Sequence, residues 1–259
     1  IRMPAGVIAM VPARPFKINN WALPTTPQPQ LNGRQGFQPR GKALGGSSAI
    51  NAMLYVRGHA QDYDEWAALG CSGWSYSEVL PYFIQSENNE RGANPWRGHN
   101  GPLQVSDQKS PRPITRSFVQ ACQEVGIPRN DDYNGPQQYG AFIYQVTQFH
   151  LPERNGQRCS AAAAYLHPVM DRPNLTVITG VHARRIVFEG TKAVGVAFQQ
   201  GHLVKQVNAH KEVLLCAGAF HSPQLLMLSG VGPRDELARH NIAPIHVLPG
   251  VGQNLQDRS

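Results

Sequence analysis

One short stretch limits the folds open to this chain more than any other. Residues 213–216, Val-Leu-Leu-Cys, form an apolar run with no polar alternation, the pattern of a strand covered on both faces, as in a parallel sheet. Ala217 and Gly218 follow as a turn. A helix is then predicted with Ser222 as N-cap and Pro223 at its first position, running through Leu225 to Leu228 and ending at Gly230. Strand, glycine turn and helix in that order place a ligand at the carboxyl end of a strand in an open α/β sheet.

A second stretch, RGKALGGSSAIN at residues 40–51, puts Gly45 and Gly46 directly before Ser47 and Ser48. Adjacent glycines allow positive φ and let backbone approach an anion, and the serines are expected to cap the helix that follows. Taken alone, these residues fit either a phosphate seat or an ordinary capped loop.

Composition narrows the classes. The 259 residues are 41% hydrophobic and 16% charged, which excludes a disordered polymer, while 21 prolines and 25 glycines imply much irregular loop. No apolar run approaches the roughly 20 residues that cross a bilayer. The formal charge of +7 is scattered rather than striped, so it reads as a solvated surface and not a nucleic-acid face. Cys71, Cys122, Cys159 and Cys216 are too far apart for a zinc site or a dense disulfide framework, and they are expected to be reduced core thiols of a cytoplasmic protein, with a peripheral inner-membrane location as a variant. The ten histidines show no HExxH and no helical i, i+4 pair, and there is no GxSxG.

Local patterns add elements. Asp62 is placed to cap a short helix through Trp66 and Leu69 that ends at Gly70, and Ser75 with Glu78 forms a capping box for a helix whose Val79, Leu80, Phe83 and Ile84 face inward. Leu103 and Val105 alternate as a strand, residues 115–125 form an amphipathic helix on Phe118, Val119, Cys122 and Val125, and Phe142, Tyr144 and Val146 alternate on another strand. Residues 175–200 read as short strands turning at Glu189 and Gly190, the first over residues 175–179. Residues 1–33 are loop-rich, with extended segments set by Pro24, Pro27 and Pro29.

Together, RGKALGGSSAIN followed by Tyr55, Arg57 and Gly58, GAFHSPQLLMLSGVG at 218–232, NWALPTTPQPQLNGR at 20–34, DYDEWAALGCSGWSYSEVLPYF at 62–83, RCSAAAAYLHP at 158–168 and GVGQNLQD at 250–257 resemble the glucose-methanol-choline (GMC) oxidoreductases, flavoproteins that oxidise alcohols. The resemblance covers nearly the whole chain. It implies an α/β fold of mixed α+β character: part of a discontinuous, Rossmann-like FAD-binding domain over residues 1–99 and 158–259, with an inserted sheet-plus-helix substrate domain over 100–157. It implies that Arg40, Lys42, Leu44, Gly45, Gly46, Ser47, Asn51, Ala52, Met53 and Leu54 lie along the diphosphate and the flavin edge. Val181 matches a position whose backbone meets adenine, the alternative being an ordinary strand valine, and Ala217 and Gly218 match a turn facing the cofactor. Relatives with covalently held flavin carry histidine in place of Ile50, so FAD is expected to bind here without that bond.

The family's GxGxxG turn is absent from the sequence, since Gly41 to Gly46 and Gly230 to Gly232 have the wrong spacing. Its catalytic histidine belongs to a later segment, so no catalytic residue is assigned, and His221 reads as a helix-start residue. The chain is therefore expected to be the middle of a larger enzyme, with Arg258 and Ser259 departing from the family pattern. The implied reaction is oxidation of a primary alcohol to an aldehyde, choline being a weaker candidate than another alcohol, with oxygen or a quinone-type compound as acceptor. A lyase-type member of the same fold and a non-catalytic module that completes its sheet by association with another chain or with itself are the alternatives.

Overall fold

The computed structural model describes residues 19–256, and the expectations for residues 1–18 and 257–259 lie outside them. The chain divides into two compact units, one ending at Leu175 and one beginning at Thr176. Helix and strand are mixed in the sequence order, and the described sheets are small, with two or three strands each.

In the first unit β1 (Leu23–Pro24) pairs antiparallel with β2 (Phe37–Gln38), and a 3-10 turn Pro29–Leu31 lies between them. Helix α1 (Ala60–Ala68) begins at His59, not at Asp62. Asp62 is the third helical residue and accepts from the His59 backbone N–H at 2.7 Å, while His59 Nδ1 accepts from Gln61 N–H at 3.2 Å. The carboxylate thus completes the cap from inside the helix, a role open to an acidic residue in the first turn. Helix α2 (Tyr76–Ser86) carries the expected Ser75/Glu78 capping box, and Val79 is buried with Leu80, Phe83 and Ile84 partly so. Strands β3 (Glu87–Asn89) and β4 (Leu103–Val105) pair in parallel.

Helix α3 (Pro113–Glu124) buries Val119 and half-buries Cys122, but Phe118 and Val125, expected on the inner face, are exposed because the helix meets its unit only along the Val119 side. Residues 142–146 are extended yet form no strand. Val146 makes single bridges to Leu54 and Ser106, and Phe142 instead stacks on Tyr133 with ring centroids 4.6 Å apart. The apolar core gathers Phe149, Cys159, Ala163 and Ala164, with Leu103 against it, and a π-helical turn Ala162–Leu166 carries the alanines.

The second unit is an antiparallel meander of β5 (His182–Glu189), β6 (Lys192–Gln200) and β7 (Leu203–Asn208). The turn at Gly190, with φ of +59°, falls where expected. Strand β7 was not legible because all six of its residues are exposed. Helix α4 (Gly218–Leu228) is capped at Ala217, well before the expected cap Ser222, and carries Pro223 internally. Ser229 beyond it donates to Leu225 C=O at 2.5 Å and accepts from Ile186 N–H at 2.8 Å, fastening α4 to β5. Strand β8 (Val231–Gly232) pairs in parallel with β9 (His246–Val247), and α5 (Arg234–Arg239) between them buries Leu237.

Residues 213–217 and 175–179 depart from expectation. Neither forms a strand, and none of the described sheets takes either segment as a partner. Leu214 is consequently 76% exposed, where a face covered on both sides had been expected. The thiols also depart. All four are free, and only Cys159 belongs to the core, while Cys71 and Cys216 are exposed and Cys122 is intermediate. Burial pushes the Cys159 thiol above its ordinary value.

A buried polar network holds the first unit together. Arg57 and Glu87, 3% and 1% exposed, pair at 2.6 Å. Arg57 Nη1 also donates to Trp96 C=O at 2.6 Å, and Glu87 accepts from Asn89 Nδ2 at 2.8 Å and Gly98 N–H at 3.1 Å. Burial pushes the Glu87 carboxyl up, while the Asn89 hydrogen bond and the Arg57 charge oppose the shift. Asn89 and Gln145 exchange two amide hydrogen bonds of 2.9 and 3.2 Å. Truncating one partner strands the other charge in a low dielectric. Arg57→Met is expected to lower stability by about 3–5 kcal/mol in urea denaturation of the first unit, a cost that removal of a solvated pair would not reach.

Candidate cofactor site

The 40–54 segment is a self-crossing turn. A Cβ on Gly41 would lie 2.1 Å from Gly46 C=O, so only glycine lets the two passes touch. Gly45 and Gly46 have φ of +88° and +54° and open a 3-10 turn over Gly46–Ala49. The expected serine caps are not there. Gly45 holds the capping position with no side chain to offer, and the hydroxyls reach across the loop instead: Ser47 Oγ accepts from Gly41 N–H at 3.2 Å, and Ser48 Oγ donates to Gly45 C=O and accepts from Ala161 N–H at 2.9 Å.

The expected residues between 40 and 54 lie together on this segment. Arg40 is half-buried, its N–H given to Asn20 Oδ1 at 3.0 Å. Lys42 is exposed, with Nζ 4.5 Å from the Trp21 ring centroid. Leu44, Ser47, Asn51, Ala52 and Leu54 are exposed, and Met53 is buried in a left-handed conformation with φ of +65°. Ile50 is buried, an aliphatic group turned into the protein and without a nucleophilic atom. A Cβ on Gly46 would meet nothing within 4 Å, leaving open space beside the turn.

Val181, Ala217 and Gly218 belong to the second unit. Val181 is partly buried just before β5. Ala217 is exposed at the start of α4, and Gly218 has φ of +86° with open space where a side chain would project.

Sequence reasoning missed Arg158. It is 2% exposed, yet Nη1 donates to Asn51 Oδ1 at 2.7 Å and to Ser48 C=O at 3.2 Å, tying the RCSAAAAYLHP segment to the turn. The available signal was a charged residue directly before an apolar, alanine-rich run, where a cation needs a partner. Tyr55, next to the turn, has its phenol pushed up to about 12 by burial, so it stays protonated across neutral pH and supplies no base.

A turn with open glycine backbone, an outward asparagine amide, a nearby lysine and a buried arginine fits a polar, anionic group. The family model described as GMC oxidoreductase matches residues 4–259, and the chain belongs to that family. It is 48% identical over 260 residues to an "Alcohol dehydrogenase [acceptor]" of Pseudomonas putida, covering 99% of this chain and 46% of that protein. It is 46% identical over 255 residues to an "Oxygen-dependent choline dehydrogenase" of Brucella anthropi, covering 97% and 45%. The fold superposes on an FAD-dependent oxidoreductase from Chaetomium thermophilum with a TM-score of 0.86 at 35% identity, over 93% of this chain and 43% of that one. The chain thus spans about half the length of the curated relatives it matches.

The turn's geometry makes a graded prediction. At Gly45 an added Cβ meets Ala162 N at 3.1 Å as well as a left-handed backbone, whereas at Gly46 only the backbone conformation resists it. Gly45→Ala should therefore destabilise by about 2 kcal/mol and Gly46→Ala by about 1 kcal/mol. Equal midpoint shifts on thermal unfolding would contradict the crowding at Gly45.

Proposed function

We propose that this chain carries the flavin-facing part of an FAD-dependent oxidoreductase that converts a primary alcohol to an aldehyde. The observation that supports this reading is the glycine turn with Asn51, set within a family match that runs almost the length of the chain. Residues 1–99 and 158–259 are read as FAD-domain parts and 100–157 as part of the substrate domain. When bound, FAD supplies the acceptor for the hydride that leaves the alcohol carbon. The chain's own residues bind and orient. Gly45 and Gly46 give close backbone approach, Ser47 and Asn51 give polar contacts, Arg40 and Lys42 give positive charge, and Val181, Ala217 and Gly218 are read, on the family resemblance alone, as further backbone positions for the cofactor. With Ile50 in place, attachment is non-covalent. No residue of this chain is assigned as the base, and His221 lies in the first turn of α4.

The pattern of residues 62–83 favours an alcohol other than choline, and the acceptor is oxygen or a quinone-type compound. Without a GxGxxG cradle in the sequence, the chain offers only part of a dinucleotide site, so flavin fluorescence titration should give saturable FAD binding with a Kd on the order of micromolar or weaker. Absence of saturable binding would remove the cofactor reading. A nanomolar Kd would show that these residues suffice for the whole site.

A second reading concerns association, and exposed Leu214 and Ile178 on segments outside the described sheets support it. Unsatisfied backbone and apolar surface on such segments favour pairing with another strand, from a second copy or another polypeptide. Sedimentation velocity should show concentration-dependent self-association of the purified chain. A monomer that holds at all concentrations and unfolds cooperatively would exclude self-pairing.

A further inference from the structure

Arg158 brings a guanidinium into the protein beneath the turn, and no carboxylate pairs with it among the described residues. Its Nε and Nη2 are buried without hydrogen-bond partners. An uncompensated buried cation is costly, and burial lowers the pKa of this one accordingly. Beside the Ser48 carbonyl, its one side-chain partner among the described residues is Asn51. That residue's Oδ1 accepts both Arg158 Nη1 at 2.7 Å and Met53 N–H at 3.1 Å, which leaves Nδ2 as the free end of an exposed side chain. The opposite amide orientation would set two N–H donors against the guanidinium and the Met53 N–H. Arg158, with the Met53 N–H beside it, thereby dictates which end of Asn51 is offered outward.

We propose that Arg158 is the positioning residue of the cofactor turn: it locks Asn51 with its amide hydrogens available to an anionic ligand, and its unneutralised charge favours the diphosphate of FAD at that turn. This inference rests on the reading of the turn as an FAD site. The residue acts through Asn51 and through its field, without touching the reacting atoms.

The test compares FAD with riboflavin, which lacks the diphosphate and the adenosine, by fluorescence titration of the wild-type chain, Arg158→Met and Asn51→Asp. The wild type should prefer FAD. Arg158→Met should lose about tenfold in FAD affinity, the scale of one charge-assisted hydrogen bond, while riboflavin affinity stays within about twofold. Asn51→Asp, which pairs with Arg158 and should preserve or raise the unfolding midpoint, should lose the FAD preference too, because it offers no donor and neutralises the charge. It carries the test if Arg158→Met does not fold. An undiminished FAD preference in these variants, or equal losses for the two flavins, overturns the positioning role while the FAD reading stands. A wild-type chain that binds riboflavin as well as FAD, or neither, sinks the reading of the turn and the positioning role with it.

Discussion

The first unit depends on the buried ion pair between Arg57 and Glu87. It joins the segment that leaves the glycine turn to the end of α2 and the start of β3, and it reaches the 96–98 loop through Trp96 C=O and Gly98 N–H. Asn134 Oδ1 accepts the Arg57 backbone N–H at 2.9 Å, bringing in the far side of the unit. The rings of Phe83 and Tyr55 lie 5.0 and 5.9 Å from the guanidinium, so it meets aromatic surface while Nη1 and Nη2 are hydrogen-bonded. Small apolar clusters could not by themselves fix the position of so much loop. A directional polar network does so because every misaligned member costs desolvation without repayment.

The two buried arginines among the described residues of this unit divide the work. Arg57 is neutralised by Glu87 and serves architecture, while Arg158 lacks a carboxylate and lies against the turn. Electrostatic preorganisation needs such an asymmetry. A paired charge projects little field beyond its partner, whereas an unpaired one in low dielectric is felt by whatever approaches.

What could be read from the sequence was local. The Ser75/Glu78 capping box, the Gly190 turn and the positive φ of Gly45 and Gly46 each depend on residues within a few positions. The strands expected at residues 142–146, 175–179 and 213–217 failed because apolar periodicity reports what a segment could bury, while a strand also needs a neighbour in register. The start of α4 was misplaced because Ser222-Pro223 is a strong local start signal, yet the helix begins at Gly218 and tolerates the proline. Of the site, the turn was legible and its support was not. Arg158 meets Asn51 across 107 positions, a contact that no local pattern encodes.

The paired amides of Asn89 and Gln145 carry an evolutionary consequence. Each gives its nitrogen to the other's oxygen, and each has a further tie, Asn89 to Glu87 and Gln145 to Asp107. A change at one of these positions leaves a buried donor or acceptor unmet at the next. Drift through this part of the protein should therefore proceed by concerted replacement of Arg57, Glu87, Asn89 and Gln145, so that the four behave as one inherited character rather than as independent sites.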